Sequence, residues 1–311
     1  MHEAIIFSND DQHLPQLRDA LHKNPEHIDA LDGAGNTPLH WAVERRDLGS
    51  ARLLLDFGAD VNCKGPRGNT PLYLAALCGQ EALVQLFIEQ GADVVNVGAD
   101  SILASVMSEK TSATVTAMLL AHGVDPNTRS QLSGHGALHS MTGNFRNPLY
   151  QHESIQKLDR LLAAGANINQ PTFAGQSPLV FAGWRDDAAY TRLLLQRGAD
   201  VGLTDTDGRG LLHCMALRGT RESMETVRLH HSDSDDQEYP LDVGAKDNNG
   251  VTAVEYFKRR VEAMPQLPEK VGGSSLPKSS MKLVSREDIE EWVMLIEDLQ
   301  SCRRHVHTKD Q

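Results

Sequence analysis

Gly35-Asn36-Thr37-Pro38-Leu39-His40, followed by two short apolar runs and then by Gly58-Ala59-Asp60-Val61-Asn62, is the stretch from which the rest of the chain is read. The phrase returns as Gly68-Asn69-Thr70-Pro71-Leu72-Tyr73 and as Gly91-Ala92-Asp93-Val94, so that Gly58 and Gly91 stand 33 residues apart. The Thr37 hydroxyl can accept from free amides of a first helical turn, as an N-cap does. Pro38 follows at the first helical position, where its missing N–H costs nothing. Leu39 and Ala42 face inward. Asp47 starts a second helix over residues 48–57, with Leu53, Leu54 and Phe57 on its buried side. Gly58 then supplies the left-handed residue that ends a helix. Asp60-Val61-Asn62 leads into a hairpin whose tip is Gly65-Pro66-Arg67-Gly68. Each unit is thus a finger, an inner helix and an outer helix. One unit alone leaves its apolar face in water, so neighbours stack.

A repeat of this length carrying Thr-Pro-Leu-His resembles the ankyrin-repeat family. The resemblance implies an all-α ankyrin-repeat solenoid: helix-turn-helix repeats with β-hairpin fingers, here followed by a C-terminal helix. In that family the His of the motif ties adjacent repeats together, a structural role for His40. His139 and His213 stand at the same repeat position.

Taken in order, residues 1–31 read as a capping or degenerate repeat, with Ala4 to Phe7 as its inner helix and Leu17, Ala20 and Leu21 inward on its outer one. Six repeats fill 32–263, with a partial seventh opening at Asp247. The third is degenerate: Ser101-Ile102-Leu103-Ala104 stands where Thr-Pro-Leu-His is expected, and the preceding finger is shortened. Repeat four, from Gly134 to Gly165, holds eight extra residues, read as a loop around 144–152 that carries Phe145, Arg146 and Tyr150. A second insertion near 232–240 is acidic; Ser232 and Ser234 within it could accept phosphate, but an inert solvated loop is the plainer reading. Residues 264–284, rich in Pro, Gly and Ser, read as a linker. Residues 285–307 read as an amphipathic helix with Ile289, Trp292, Val293, Ile296 and Leu299 at helical spacing. Its stripe needs a surface, either the open end of the last repeat or a partner.

Composition narrows the function classes. Of 311 residues, 42 are acidic and 30 basic, a net charge of −12 spread along the chain. That balance disfavours nucleic acid and anionic membranes as partners. Cys63, Cys78, Cys214 and Cys302 form no C-x-x-C pair and read as reduced thiols of a cytoplasmic or nuclear protein. No signal peptide or long apolar run is seen. His230-His231 and His305-x-His307 lack second ligand pairs, so no metal is expected, and no motif calls for a cofactor.

The resemblance also says where partners bind. In the family, finger tips and the exposed ends of inner helices line a concave groove. Carried over, the helix ends are Glu44 and Arg45, Leu77 and Cys78, Trp184 and Arg185, Leu217 and Arg218, and Arg259 and Arg260, with Met107 among them if repeat three keeps the same phase. The fingers give Ala34, Asn36, Arg67, Asn69, Leu132, His135, Phe173, Gln176, Asp207 and Arg209. The centre is expected at Trp184 and Arg185, next to Leu217, Arg218 and the Phe173 finger, a short apolar strip edged by guanidinium groups, with Arg209, Leu77, Tyr73, His135, Phe145 and Tyr150 as further contacts. Two alternatives stand beside this. Phe145 and Tyr150 either meet a partner or anchor their loop, and Trp184 either lines the groove or folds onto the repeat-six helix. The implied function is a non-catalytic scaffold or adaptor for a protein partner. The alternative is an enzyme or small-molecule binder in which His135, His139, Tyr73, Asp207 and Arg185 line a pocket.

Overall fold

The structure is a computed structural model that describes residues 13–95, 101–107, 111–233, 241–262 and 289–298. The expected Ala4–Phe7 helix, the linker 264–284, most of the acidic insertion, Cys302 and the flanks of the last helix lie outside them. The described chain is helical, and its contacts divide it into two units.

The first unit comprises residues up to Asn144 together with Pro148–Asn167. Its helices are α1 (His13–Lys23), α2 (Pro38–Glu44), α3 (Leu48–Asp56), α4 (Pro71–Leu77), α5 (Glu81–Glu89), α6 (Ile102–Ser105), α7 (Ala113–Ala121), α8 (Ala137–Ser140) and α9 (Pro148–Ala163). They pack as two rows. The inner row runs α2, α4, α6, α8; the outer row runs α1, α3, α5, α7, α9. The caps read from the sequence close the helices. The Thr37 hydroxyl accepts from His40 N–H, Thr70 from Tyr73 N–H, and Asp47 from Ser50 N–H at 3.0 Å. Gly58 has φ of 92° at the end of α3, a region cheap only for glycine. Ser101 still caps the third inner helix, but that helix is four residues long.

The second unit comprises Phe145–Asn147 and the chain from Ile168 onward. Its inner row is α10 (Pro178–Trp184), α12 (Leu211–Arg218) and α14 (Ala253–Glu262), and its outer pair is α11 (Ala188–Gln196) and α13 (Arg221–Asp233). A last helix, α15, covers residues 289–298. Trp292 is buried and stacks on Phe257 of α14, with ring centroids 4.7 Å apart. Arg228 of α13 donates to the buried Glu291 carboxylate at 2.8 Å. The buried face of α15 is Trp292 and Leu295, with Ile289 and Ile296 half-buried. Leu295 was missing from the expected stripe, and Val293, which belonged to it, is exposed.

Side chains repeat the stacking rule at several steps within each unit. The Nε2 of His40 lies 3.1 Å from the Asn69 carbonyl of the next repeat, and that of His213 lies 3.3 Å from the Val251 carbonyl. Burial lowers the His40 pKa from its ordinary 6.5. The Asn62 side chain accepts from Asp93 N–H, Asn127 from Asn167 N–H, and Asn169 from Asp200 N–H, each one repeat on. The fingers are shorter than hairpin ladders. Each is a tight turn, such as Gly65 N–H to the Asn69 carbonyl, and the bridges among the described residues are the isolated pairs Arg129 with Gly136 and Lys246 with Thr252.

Two expectations need correction. The extra residues of repeat four do not form a loop throughout 144–152. From Pro148 on they lengthen the outer helix, so α9 has 16 residues. Pro148 opens it at a position where its missing N–H is harmless. Met107 does not reach a groove: it is fully buried, because the short α6 ends early and turns this residue into the core.

Candidate functional site

Trp184 is the last residue of α10, and it is half-buried. Its phase follows from Ser177, whose hydroxyl accepts from Val180 N–H and fixes the start of the helix. Gly183 beside it leaves room for α12, since a Cβ there would stand 2.6 Å from Leu211 Cδ1. The two inner helices approach closely, and the end of α12 comes up against the Trp184 ring.

Two guanidinium groups face that ring. Arg218, the last residue of α12, lies over it at 4.5 Å from the centroid, and Arg209, from the finger before α12, at 5.8 Å. A cation over an indole gains about 0.5–1 kcal/mol when exposed and more when desolvated. Arg209 is held from behind. Its Nε donates to Asp205 Oδ2 at 3.2 Å and its Nη2 to Asp207. Asp205 Oδ1 meanwhile accepts from the N–H groups of Asp207 and Arg209, both at 2.9 Å, and so shapes the finger. Equivalent carboxylates serve other fingers: Asp32 takes the Trp41 indole N–H at 2.7 Å, and Asp247 the Tyr256 hydroxyl at 2.6 Å. The Tyr256 hydroxyl, with amides of its own finger, holds the Asp247 carboxyl down to about 2. Below the finger of Arg209, burial pushes the Cys214 thiol up to about 12, so it stays protonated.

Arg185 follows Trp184 and is exposed. Its carbonyl accepts from Arg146 Nη2 at 2.7 Å, and the Asp186 carbonyl from the same nitrogen at 3.3 Å. Arg146 thereby caps the C-terminal end of α10, where carbonyls lack helical partners. Asp186 sits at φ of 54°, a left-handed region that Asp tolerates better than most residues. Its carboxylate accepts from Thr220 N–H and the hydroxyls of Thr220 and Ser223, which fixes the start of α13. Neither Arg185 nor Arg218 has a carboxylate partner among the described residues. Leu217, half-buried, continues the strip.

The other expected residues are dispersed. Phe173 is 61% exposed at the finger of repeat five, without a described contact to Trp184. Leu77 is 42% exposed on the first unit. Tyr73 is half-buried, with its hydroxyl 2.9 Å from the Ser105 hydroxyl, and His135 stacks on His139 at 5.5 Å. The His139 Nδ1 accepts from Gly136 N–H. Tyr150 is exposed on the first turns of α9. Phe145 is a correction: it is 3% exposed and stacks on Tyr190 of α11 at 4.7 Å, almost parallel. A flat ring gains more from being buried beneath an outer helix than from standing in water, so Phe145 is an anchor. Arg260 likewise donates to the Ala216 and Gly219 carbonyls at the end of α12, whereas Arg259 is exposed.

Among the described residues no cluster of His, Cys, Asp and Glu could hold a metal ion, and no helix is long and apolar enough to cross a membrane. Cys63, Cys78 and Cys214 are free thiols.

Comparison with known proteins agrees with this architecture. A family model described as ankyrin repeats in three copies matches residues 1–97. The chain is 29% identical over 169 residues to the nuclear factor NF-kappa-B p105 subunit of Gallus gallus, covering 53% of this chain and 16% of that protein. It is 28% identical over 190 residues to the putative ankyrin repeat protein YahD of Escherichia coli K12, covering 58% of this chain and 89% of that one. Among solved structures, the human ASB11 ankyrin repeat domain superposes with a TM-score of 0.57 at 20% identity, over 82% of this chain and 98% of that chain.

Proposed function

This chain is an ankyrin-repeat protein, and from that premise we propose that it is a non-catalytic scaffold or adaptor whose partner binds at Trp184. Ankyrin repeats are in general protein-interaction modules, and the bound partner is here a protein. The observation that carries the site is the half-buried Trp184 under Arg218 and Arg209, with Arg185 beside it exposed. Trp and Arg are the residues in which interface energy concentrates. A ring whose environment is already arranged loses little freedom on binding. Leu217 extends the apolar area, and the Phe173 finger lies in the same unit.

The division of labour follows the sequence. Among the described residues, those of 32–262 carry the repeats and 289–298 the terminal helix. The net charge of −12 fits a protein partner better than nucleic acid or an anionic membrane. The free thiols fit a cytoplasmic or nuclear setting.

A photo-cross-linking residue in place of Leu217, in the full chain, tests the site in cells. The expected result is a discrete cross-linked protein that the same residue in place of exposed Gln196 on the outer helix α11 does not give. Equal capture from both positions, or from neither, overturns the assignment.

A further inference from the structure

The partner's chemistry can be read from the charges around Trp184, an inference that rests on that residue being the centre of the site. We propose that Trp184, Arg185 and Arg218 bind an acidic peptide segment of the partner, with carboxylates on the two arginines and an apolar side chain against the indole and Leu217.

Four arginines belong to this part of a chain whose acids outnumber its bases. Arg209 and Arg218 face the Trp184 ring, Arg185 adjoins it, and Arg146 reaches the Arg185 carbonyl. Four carboxylates lie nearby, and their duties are distinct. Asp205 and Asp207 take Arg209. Asp186 is spent on Thr220 and Ser223 at the start of α13, and Asp187 on the Tyr190 N–H at the start of α11. Carboxylates at such helix starts are already matched by free N–H groups and by the positive end of the helix. Arg146 donates to neutral carbonyls and keeps its full charge. Arg146, Arg185 and Arg218 are therefore cations with no carboxylate partner among the described residues, and Arg218 is the one of the three that lies over the indole.

Like charges gathered in this way repel one another in the free protein, and an incoming anion removes that repulsion. The stacking of Arg218 on the indole leaves the edge of its guanidinium fork, with several N–H donors, open to a carboxylate. The pair formed there stands beside an apolar ring, where it is screened less than at an open surface. A peptide fits better than a polyanion. The overall charge of −12 repels a long nucleic acid, whereas a few carboxylates on a short segment feel mainly the local field. The half-buried indole and Leu217 also reward an apolar side chain that a phosphate backbone lacks.

The test pans a phage library of random dodecapeptides on the full chain and measures synthetic copies of the enriched peptides on variants. The expected peptides carry Asp or Glu beside an apolar residue. They are expected to bind Arg185→Gln/Arg218→Gln at least about thirtyfold more weakly, more weakly still to Arg185→Glu/Arg218→Glu, and not to Trp184→Ala, all variants keeping the parental far-ultraviolet circular dichroism. Peptides that require Trp184 but show no acidic bias, or survive both arginine exchanges, overturn this inference and leave the site assignment standing. Peptides indifferent to Trp184→Ala, or a selection that enriches none, count against both. Single-stranded oligonucleotide binding that is lost in the same variants, with no acidic peptide bound, assigns the arginines to nucleic acid and overturns the inference.

Discussion

Trp292→Ala removes the side chain that seats the terminal helix on the last repeat. Trp292 is 3% exposed and stacks on Phe257, while Leu295 next to it is fully buried. Truncating a buried Trp to Ala costs about 3–5 kcal/mol. The loss has a ceiling, because a helix this short has little stability of its own and leaves once its docking energy is gone. With a shift of about 2–4 °C per kcal/mol in a chain of this size, the C-terminal transition is expected to fall by roughly 6–20 °C. Repeat arrays unfold in steps, so calorimetry resolves this better than one fitted midpoint. Deleting 285–311 is expected to lower the same transition by a similar amount, and neither change adds to the other. Tryptophan emission supplies a second readout: loss of the buried Trp292 leaves a spectrum dominated by Trp41 and Trp184. A melting profile unchanged in both variants refutes docking in cis and assigns the helix to a partner in trans.

Other perturbations follow from the packing. Gly175→Ala is expected to destabilise the second unit by at least about 2 kcal/mol, since Gly175 has φ of +74° and a Cβ would stand 2.8 Å from Thr206 N; a neutral effect in denaturant titration contradicts the finger stacking. Burial holds the fully buried Lys157 amine at about 8 instead of 10.5, with Glu153 opposing the shift. Native protein therefore releases this proton between pH 8 and 10.5 while the unfolded chain keeps it, so stability rises with pH across that window. Lys157→Met is expected to remove that rise and, after discounting for screening, to add about 1–2 kcal/mol at neutral pH; an unchanged pH profile refutes it. For His40 the native pKa lies below 6.5 because of burial. Its contribution is full above pH 6.5 and is lost as pH falls through 6.5 toward the lowered native value; His40→Gln is expected to flatten the acid limb of the stability curve, and an unaltered acid limb contradicts this.

Much of the fold is legible because its determinants are local. Thr37, Pro38, Asp47 and Gly58 each act within one turn of their own position, so their spacing predicts caps and helix ends without tertiary information. The juxtaposition of Trp184 and Arg218 is legible too, because stacking puts equivalent positions of consecutive repeats side by side. What the pattern misses depends on side-chain direction or on partners outside the repeat phase. Phe145 lies in an insertion, where no periodicity says which way a ring points, and burial against Tyr190 decided it. Pro148, read as a loop signal, also suits the first turn of a helix, and here it opens α9. Arg146 reaches carbonyls 39 residues further along the chain, and Asp186 a helix start 34 residues on. A left-handed Asp at the turn between two helices, where Gly79 stands in repeat two, was the one available hint of the second.

The central claim is that binding energy concentrates at Trp184 and its arginines. Isothermal titration calorimetry of Trp184→Ala/Arg185→Ala against the protein cross-linked through position 217 tests it most directly. The account predicts a Kd raised by at least about a thousandfold, equivalent to ~4 kcal/mol, with unchanged helical circular dichroism. Parental affinity in a folded double variant contradicts it.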